Sequence, residues 1–327
     1  MVREFIDGFS TGDLLKWTTN NGMVATSGIT DMDNYCIRTT DGNSYLHKTI
    51  TSRSEYYVSF RMRVVDTSVR NFFNFMKGST RLAFLYRDDD ATGLLRAKRG
   101  STVISTGCEL LVGATYLFEV RYVPSNTVGV MQVKVDGNLV IDVTTGNTCE
   151  TADTTIDGIR LGKSYTYTGN NGKVYWNNII IDSSGWIGDT RIAAALVPTG
   201  AGTTTEFDPS TGANWECVNE VPASDVDYNS TNVADEIDLF TLSNLTESIG
   251  EIKSLEVIVR GFYEGSPTPT KIAPVLRSGG NNYFGSDQSV ILTPGLCRWL
   301  MEVDPDTSSV FSESSVNALE IGYKSRT

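Results

Sequence analysis

The length of the apolar runs constrains the fold of this chain more than any other feature of the sequence. Runs rich in Val, Ile, Tyr and Phe are short, and Gly, Asp, Asn or Ser ends most of them. In Tyr56–Val64 apolar and polar residues alternate, which places successive side chains on opposite faces of a β-strand. Residues 130–135 and 139–143 flank Asp136-Gly137-Asn138, residue types that tolerate positive φ and therefore close hairpins. The sequence thus predicts a strand in the first place and a β-hairpin in the second.

Further runs of the same kind follow along the chain. They predict strands at residues 81–86, 116–122, 157–161, 174–181, 237–242, 255–262, 272–276 and 319–323. The sequence contains no helical heptads and no tandem repeat. Many short antiparallel strands are typical of a sandwich or a barrel. The prediction is an all-β protein.

The length of the chain predicts two domains. At 327 residues it is longer than the usual size of one hydrophobic core. Residues 182–185 read Asp-Ser-Ser-Gly, and the stretch from there to about Asn214 is loaded with Gly, Thr, Ser and Pro. We expect two β-sandwich, jelly-roll-like domains in tandem: residues 1–185, and a smaller acidic domain at residues 186–327.

The formal net charge of −12 is unevenly distributed. Residues 1–185 carry 19 Lys and Arg against 19 Asp and Glu, whereas the remainder carries 8 against 20. A domain this acidic repels a phosphate backbone and stays soluble, so nucleic acid is not an expected partner. The cluster Arg96, Lys98 and Arg99 is too short to change that expectation for the neutral half.

The sequence predicts neither secretion nor membrane insertion. The N-terminus lacks a basic segment followed by an apolar stretch, and no run of apolar residues is long enough to span a bilayer. The five cysteines are widely spaced and form no C-x-x-C pair, which argues against a disulfide framework and a zinc site. We expect buried thiols in a protein made in a reducing cytosol.

Catalytic motifs have little support. Hydrolysis by a Ser-His or Cys-His pair needs a histidine, and the chain has only His47, for which we expect a structural or surface role. Glu236 and Asp238, two apart on a strand, can face one side as a glycosidase pair does. They resemble the E-x-D-x-x-E strand of retaining β-glucanases, but Thr241 stands where that family has its acid/base glutamate. We therefore expect no enzyme and no catalytic residues.

Three acidic segments are candidates for a metal site, at residues 88–90, 225–229 and 304–306. None has the Gly and Glu positions of the helix-loop-helix calcium loop. Asp residues in such segments commonly hydrogen-bond their own backbone in turns. We expect turns at all three places, and neither a metal nor another cofactor.

Aromatic residues flank the segment Gly-Asn-Asn-Gly at residues 169–172. A sugar ring stacks on exposed aromatic side chains, and asparagine side chains can orient it. The candidate glycan-binding residues are Tyr165, Tyr167, Asn170, Asn171 and Trp176. The alternative is that the aromatic residues pack in the core of the sandwich.

Four segments of the first half, at residues 9–17, 133–140, 156–162 and 174–181, resemble concanavalin-A/laminin-G-like jelly rolls. The resemblance covers residues 1–183 and implies a lectin-like β-sandwich. In many such domains paired aspartates stand at the positions of Asn177 and Asn178. The two amides remove charge there, which weighs against a metal-dependent role.

The second half resembles a module of tailed-bacteriophage virion proteins. The segments that carry the resemblance are residues 226–231, 238–240, 275–280, 299–307 and 316–324. Together with a lectin-like domain, this module is similar to capsid-decorating and head-fibre proteins. The resemblance implies a non-catalytic structural accessory protein of the virion, made in the host cytoplasm and attached to capsid or tail proteins, with a homotrimer favoured.

Two alternatives to a virion structural role stay open. The lectin-like resemblance and the aromatic segment near residue 170 favour a tail-associated, carbohydrate-binding adsorption protein with a host-surface glycan as partner. The third hypothesis is a degraded glycosidase built around Glu236.

Overall fold

The computed structural model describes residues 3–29, 31–32, 35–40, 44–67, 71–88, 92–162, 174–189, 195–245, 251–265 and 269–327. Their regular structure is almost entirely antiparallel β-strand, so the predicted all-β class with β-sandwich folds is confirmed. The chain divides into two compact units, Met1–Ile192 (unit 1) and Ala193–Thr327 (unit 2). Within the described residues, no helix is long and apolar enough to cross a lipid bilayer.

Unit 1 is built from two antiparallel sheets. Its described strands are β1 (Arg3–Asp7), β2 (Thr19–Asn21), β3 (Met23–Ser27), β4 (Tyr35–Thr39), β5 (Tyr45–Arg53), β6 (Tyr56–Val64), β7 (Asn71–Lys77), β8 (Thr80–Arg87), β9 (Leu94–Arg99), β10 (Thr102–Glu109), β11 (Thr115–Val123), β12 (Gly129–Val135), β13 (Asn138–Gly146), β14 (Ile156–Gly162) and β15 (Val174–Asp182). The eight-stranded sheet has the order β13-β12-β11-β6-β15-β4-β3, and β1 also pairs with β15. The seven-stranded sheet has the order β10-β9-β8-β7-β14-β5-β2.

The predicted hairpin forms where the sequence places it. Strands β12 and β13 are joined at Asp136 and Gly137, whose φ angles of 49° and 81° are in the left-handed region. Glycine and aspartate reach that region at low cost, which explains why this turn can be predicted from the sequence. Strand β12 then buries every second residue, as its alternation predicts.

Aromatic side chains from both sheets fill the core of unit 1. Phe60 of the eight-stranded sheet stacks on Phe73 of the seven-stranded sheet, with ring centroids 4.9 Å apart, and on Phe118 at 5.1 Å. All three are fully buried. Burying a side chain of this size contributes about 1.5–3 kcal/mol, so these rings help to hold the two sheets together.

The segment after β15 lies on the outer face of the eight-stranded sheet. The Trp186 ring is 5.5 Å from the Tyr57 ring, and Lys134 Nζ is 4.0 Å from the Trp186 ring centroid. Gly188 N–H donates to Glu119 Oε1 at 2.8 Å. These contacts belong to unit 1, so its division from unit 2 lies beyond the predicted boundary at residue 185.

Unit 2 is smaller. Its described strands are β16 (Pro198–Thr205), β17 (Asp208–Pro209), β18 (Asn229–Ser230), β19 (Ile237–Leu242), β20 (Leu255–Gly261), β21 (Lys271–Ser278), β22 (Asn281–Phe284), β23 (Gln288–Ser289), β24 (Gly295–Met301) and β25 (Glu320–Arg326), with a 3₁₀ helix at Asn214–Val218 and helix α1 at Glu313–Asn317. The six-stranded sheet has the order β16-β19-β25-β21-β22, with β23 also on β21. Strands β20 and β24 form a separate two-stranded ribbon, and β17 pairs with β18.

The ribbon covers one face of the six-stranded sheet. Phe240 and Leu276 of that sheet share a buried cluster with Val257, Val259 and Cys297 of the ribbon. Two β layers therefore enclose the second core, as a sandwich does.

Candidate functional site

Trp176, the one described member of the predicted glycan-binding set, is in the core of unit 1. It is fully buried, in register with Ile37 of β4 and Met62 of β6. The expectation that Trp176 faces a sugar is therefore corrected: strand β15 lies inside its sheet and is buried on both faces, so alternation gave no outward position here. The other four predicted residues, Tyr165, Tyr167, Asn170 and Asn171, lie outside the described residues.

The asparagine pair on β15 has a backbone role. Asn178 has a φ of 54°, at an irregularity in the pairing of β15 with β6. Asn177 Nδ2 donates to the Tyr35 carbonyl at 2.8 Å and is fully buried. The amides hold a β-bulge, a place where asparagine tolerates the left-handed conformation.

Asp238, half of the predicted glycosidase pair, is fully buried and satisfied. Its Oδ1 accepts the backbone N–H of Glu206 at 2.7 Å and that of Phe207 at 3.0 Å. Its Oδ2 accepts Asn214 Nδ2 at 2.7 Å and the Tyr323 hydroxyl at 3.4 Å. Burial raises the pKa of the Asp238 carboxyl even though these donors favour its ionised form. The group anchors the chain segments around it and is closed to a substrate.

The acidic segments are engaged in hydrogen bonds and ion pairs within the protein. Asp304 Oδ1 accepts the Asp306 N–H at 3.0 Å, the turn geometry expected there. Asp225 pairs with Arg260 through two hydrogen bonds. Within the described part of the chain, no group of three or more His, Cys, Asp and Glu residues is placed to hold a metal ion.

A row of polar and aromatic side chains crosses the seven-stranded sheet of unit 1. His47, Arg160, Asn74, Phe84 and Lys98 are directly opposite one another on β5, β14, β7, β8 and β9. Cross-strand partners lie on one face of a sheet. The neighbours of this row along each strand, such as those flanking Asn74, enter the core, so the row itself faces away from the core.

Tyrosines and further cations extend the row. Tyr86 is opposite Arg96, and Tyr45 is two residues before His47 on the same face. Arg81 lies over the Phe84 ring, with its guanidinium carbon 3.8 Å from the centroid. We name this surface the basic-aromatic face. Its members are Tyr45, His47, Asn74, Arg81, Phe84, Tyr86, Arg96, Lys98 and Arg160.

Cations on this face lie against aromatic rings. The Arg160 guanidinium carbon is 4.3 Å from the centroid of Tyr45, and Lys98 Nζ is 4.7 Å from that of Tyr86. Each ring attracts its cation through the negative charge of the ring face, by about 0.5–1 kcal/mol at exposed sites. The side chains are thereby held along the sheet instead of extending freely into water.

Asn74 fixes the centre of the row. Its Nδ2 donates to the Gly162 carbonyl at 2.9 Å and to the Arg160 carbonyl at 3.2 Å, while its Oδ1 accepts Asn71 Nδ2 at 2.9 Å. Asn74 is fully buried despite its outward position. The buried amides tie β7 to β14 and hold the Arg160 backbone in place.

Burial shapes the charge of the two groups beside Asn74. It lowers the pKa of His47, and the positive charge of Arg160 lowers it further, which favours the neutral imidazole. Burial also lowers the pKa of Arg160, which has no carboxylate to offset it in the described part of the chain. Gly158 makes room for the imidazole, because a Cβ there would lie 2.6 Å from His47 Cε1.

Little in the sequence predicted this face. Arg96 and Lys98 stood out as a short basic cluster, and His47 was expected to be structural or on the surface. Arg99, the third member of that cluster, is one position out of phase and donates to the Asn147 carbonyl. Only the strand register brings His47 next to Arg160.

No protein-family model matches the chain, and no curated protein matches it. Among solved structures, the alginate lyase Aly36B is 14% identical with a TM-score of 0.38, covering 56% of this chain and 93% of its own. The cellulose-induced protein Cip1 is 18% identical with a TM-score of 0.42, covering 55% and 98%. Domain 4 of AbnA, a GH43 extracellular arabinanase from Geobacillus stearothermophilus, is 14% identical with a TM-score of 0.37, covering 57% and 95%. Scores this low carry no argument about function, which has to be inferred from the geometry of the chain itself.

Proposed function

We propose that unit 1 is a carbohydrate-binding domain and that its ligand lies along the basic-aromatic face. The observation that supports this is the placement of aromatic rings beside hydrogen-bonding groups on one outward sheet face. Half-buried Tyr45 and Tyr86 each have a cation against one face of the ring, and the rest of each ring is offered to a ligand together with donors of His47 and Arg160. Stacking on rings combined with a few oriented polar groups is how proteins hold sugars.

The dimensions of the face suit an extended ligand. From His47 to Lys98 the row crosses five adjacent strands. Neighbouring strands are about 4.8 Å apart, so the row is about 19 Å long. That length accommodates an oligosaccharide lying across the strands.

The charged groups on the face support binding without hydrolysis. The two-carboxylate mechanism of glycosidases needs a pair of acidic groups flanking the scissile bond. Among the described residues at the border of the face, Asp88 accepts a hydrogen bond from Arg96 Nε at 2.7 Å, and Asp157, whose charge acts on His47, is paired with Lys77. A cation-rich face whose bordering carboxylates are paired with cations is better suited to holding a glycan than to cleaving it.

A glycan array with the full chain, followed by calorimetry on the best ligand, tests this function. Tyr86→Ala and Tyr45→Ala each remove one stacking surface, so we expect about tenfold weaker binding for each. Tyr228→Ala is the matched control, because Tyr228 is 41% exposed and belongs to unit 2. An array that stays silent at high protein concentration, or a ligand bound equally well by both face variants, refutes the proposal.

The virion role implied by the resemblance of the second half stays a proposal. It predicts that the full chain binds purified capsids or tails at physiological salt, and that the trimer is its main form in light scattering. A density map of the intact particle would locate the chain on the head or on the tail. Absence of binding to either particle part would remove this role while leaving glycan binding intact.

A further inference from the structure

We infer that the basic-aromatic face selects a carboxylate-bearing glycan, a polyuronate, and that Arg160 is the residue that makes this selection. The inference rests on the proposed glycan-binding function and adds to it the chemical class of the ligand. Its starting point is local charge, because residues 1–185 as a whole are neutral, with 19 cationic and 19 acidic residues.

The cations of this face are only partly neutralised. Asp88 is paired with Arg96. Lys98 and Arg160 form no ion pair with a carboxylate in the described part of the chain, and each lies over a tyrosine ring instead. Lys98 and Arg160 therefore each present a positive charge on this face. A ligand with negative charges of its own would neutralise them.

The positions of the two cations suggest a repeating anionic ligand. Arg160 and Lys98 are separated by Asn74 and Phe84 in the row, so their strands are three spacings apart. Three spacings correspond to about 14 Å between the backbones. A ligand that spans both must carry more than one acidic group, as a chain of uronic acid units does.

Arg160 is the better placed of the two for a carboxylate. Its Nε is buried, so a ligand would meet the terminal nitrogens of the guanidinium, Nη1 and Nη2. A planar guanidinium can donate two parallel hydrogen bonds to a carboxylate, which a lysine ammonium cannot. A neutral sugar hydroxyl would fill only part of this donor set, whereas a uronate would fill it and also balance the charge.

The test compares uronate homopolymers with neutral homopolymers of the same backbone, binding to the full chain at low salt. We expect the uronate to bind at least tenfold more tightly, and Arg160→Gln to weaken binding of the uronate by a larger factor than binding of the neutral polymer, so that most of the preference is lost. Arg160→Lys keeps the charge and loses the planar fork, so it should retain only part of the preference. Lys134→Gln is the control, because Lys134 also lies over an aromatic ring but on the other sheet.

The outcomes separate the two proposals. Failure of every neutral and acidic glycan to bind refutes the glycan-binding function itself. Equal affinity for neutral and uronate polymers, or an unchanged preference in Arg160→Gln, overturns the selection and leaves the function standing. If a sulfated polymer binds as tightly as the uronate, both to the wild type and to Arg160→Lys, the face attracts any polyanion without selecting a carboxylate. That result would also overturn the carboxylate assignment. If Arg160→Gln melts at a much lower temperature, Arg160→Lys and Lys98→Gln carry the test.

Discussion

Replacing Asp238 with alanine removes the acceptor on which several separate pieces of unit 2 converge. The backbone N–H groups of Glu206 and Phe207 and the side-chain amide of Asn214 all donate to its carboxylate within 3.0 Å. Asp238 is fully buried, so water would not readily replace the lost acceptor. A polar group buried without a partner costs about 1–3 kcal/mol.

Three orphaned donors would cost about 3–9 kcal/mol if their effects added, but groups that share one partner relax together. We therefore expect Asp238→Ala to lower the free energy of unfolding by about 3–5 kcal/mol. Asp238→Asn keeps one oxygen for the two backbone donors and places an amide against Asn214 Nδ2, 2.7 Å from the present Oδ2. Its expected cost is smaller, about 1–2 kcal/mol.

Urea unfolding of the full chain, followed by tryptophan fluorescence, measures both variants. Asp208→Ala is the control, because Asp208 is an exposed carboxylate on the neighbouring strand β17 and should change stability by less than about 0.5 kcal/mol. If Asp238→Ala unfolds within about 1 kcal/mol of the wild type, the buried network contributes little, and the structural role assigned to Asp238 is wrong.

Three further perturbations test other parts of the molecule. Two cations of β25 pair with Asp235 and lower the pKa of its carboxyl group. The stability that this ion pairing contributes is fully present above the ordinary carboxyl pKa of about 4 and is lost as the pH falls through the lower pKa of the folded state. Asp235→Asn should therefore flatten the fall in melting temperature between about pH 4 and pH 2, and an unchanged acid limb would contradict this. Gly158→Ala should displace the His47 ring and weaken glycan binding with a stability cost of about 1–2 kcal/mol, whereas Gly295→Ala, which has open space beside it, should leave binding unchanged. Trp186→Ala should destabilise unit 1 by about 2 kcal/mol in chemical unfolding, and a change below about 0.5 kcal/mol would show that the segment after β15 is only loosely attached.

Local features of the sequence predicted local features of the fold. The hairpin at Asp136 and Gly137 depends on neighbouring residues whose conformational preferences act directly, and its position was correct. Strand β19 also has the bounds that its sequence predicts, Ile237–Leu242. The boundary at residue 185 was placed by composition, which carries no information on whether Trp186 packs against a sheet.

The candidate site could not be predicted from the sequence in the same way. His47 and Arg160 are far apart in the chain, and their contact depends on which strands pair and in which register. Alternation along β5 or β14 shows which residues of one strand share a face. It does not show which strand pairs with it or which residues of that strand lie opposite. The prediction that Trp176 binds a glycan was wrong for a related reason. A strand that lies inside a sheet and is covered on both faces has no outward positions for aromatic residues.

The attachment of residues 186–189 to the eight-stranded sheet determines where unit 1 bears mechanical load. Trp186, Gly188 and Asp189 each contact that sheet, Asp189 through an ion pair with Arg61 at 3.1 Å. A force applied to the chain beyond Asp189 would first peel these side-chain contacts away one after another, before it reached the ladder of backbone hydrogen bonds that holds β15 between β6 and β4. We therefore expect a fragment ended at residue 185 to unfold at a lower pulling force, because the pull would act directly on β15.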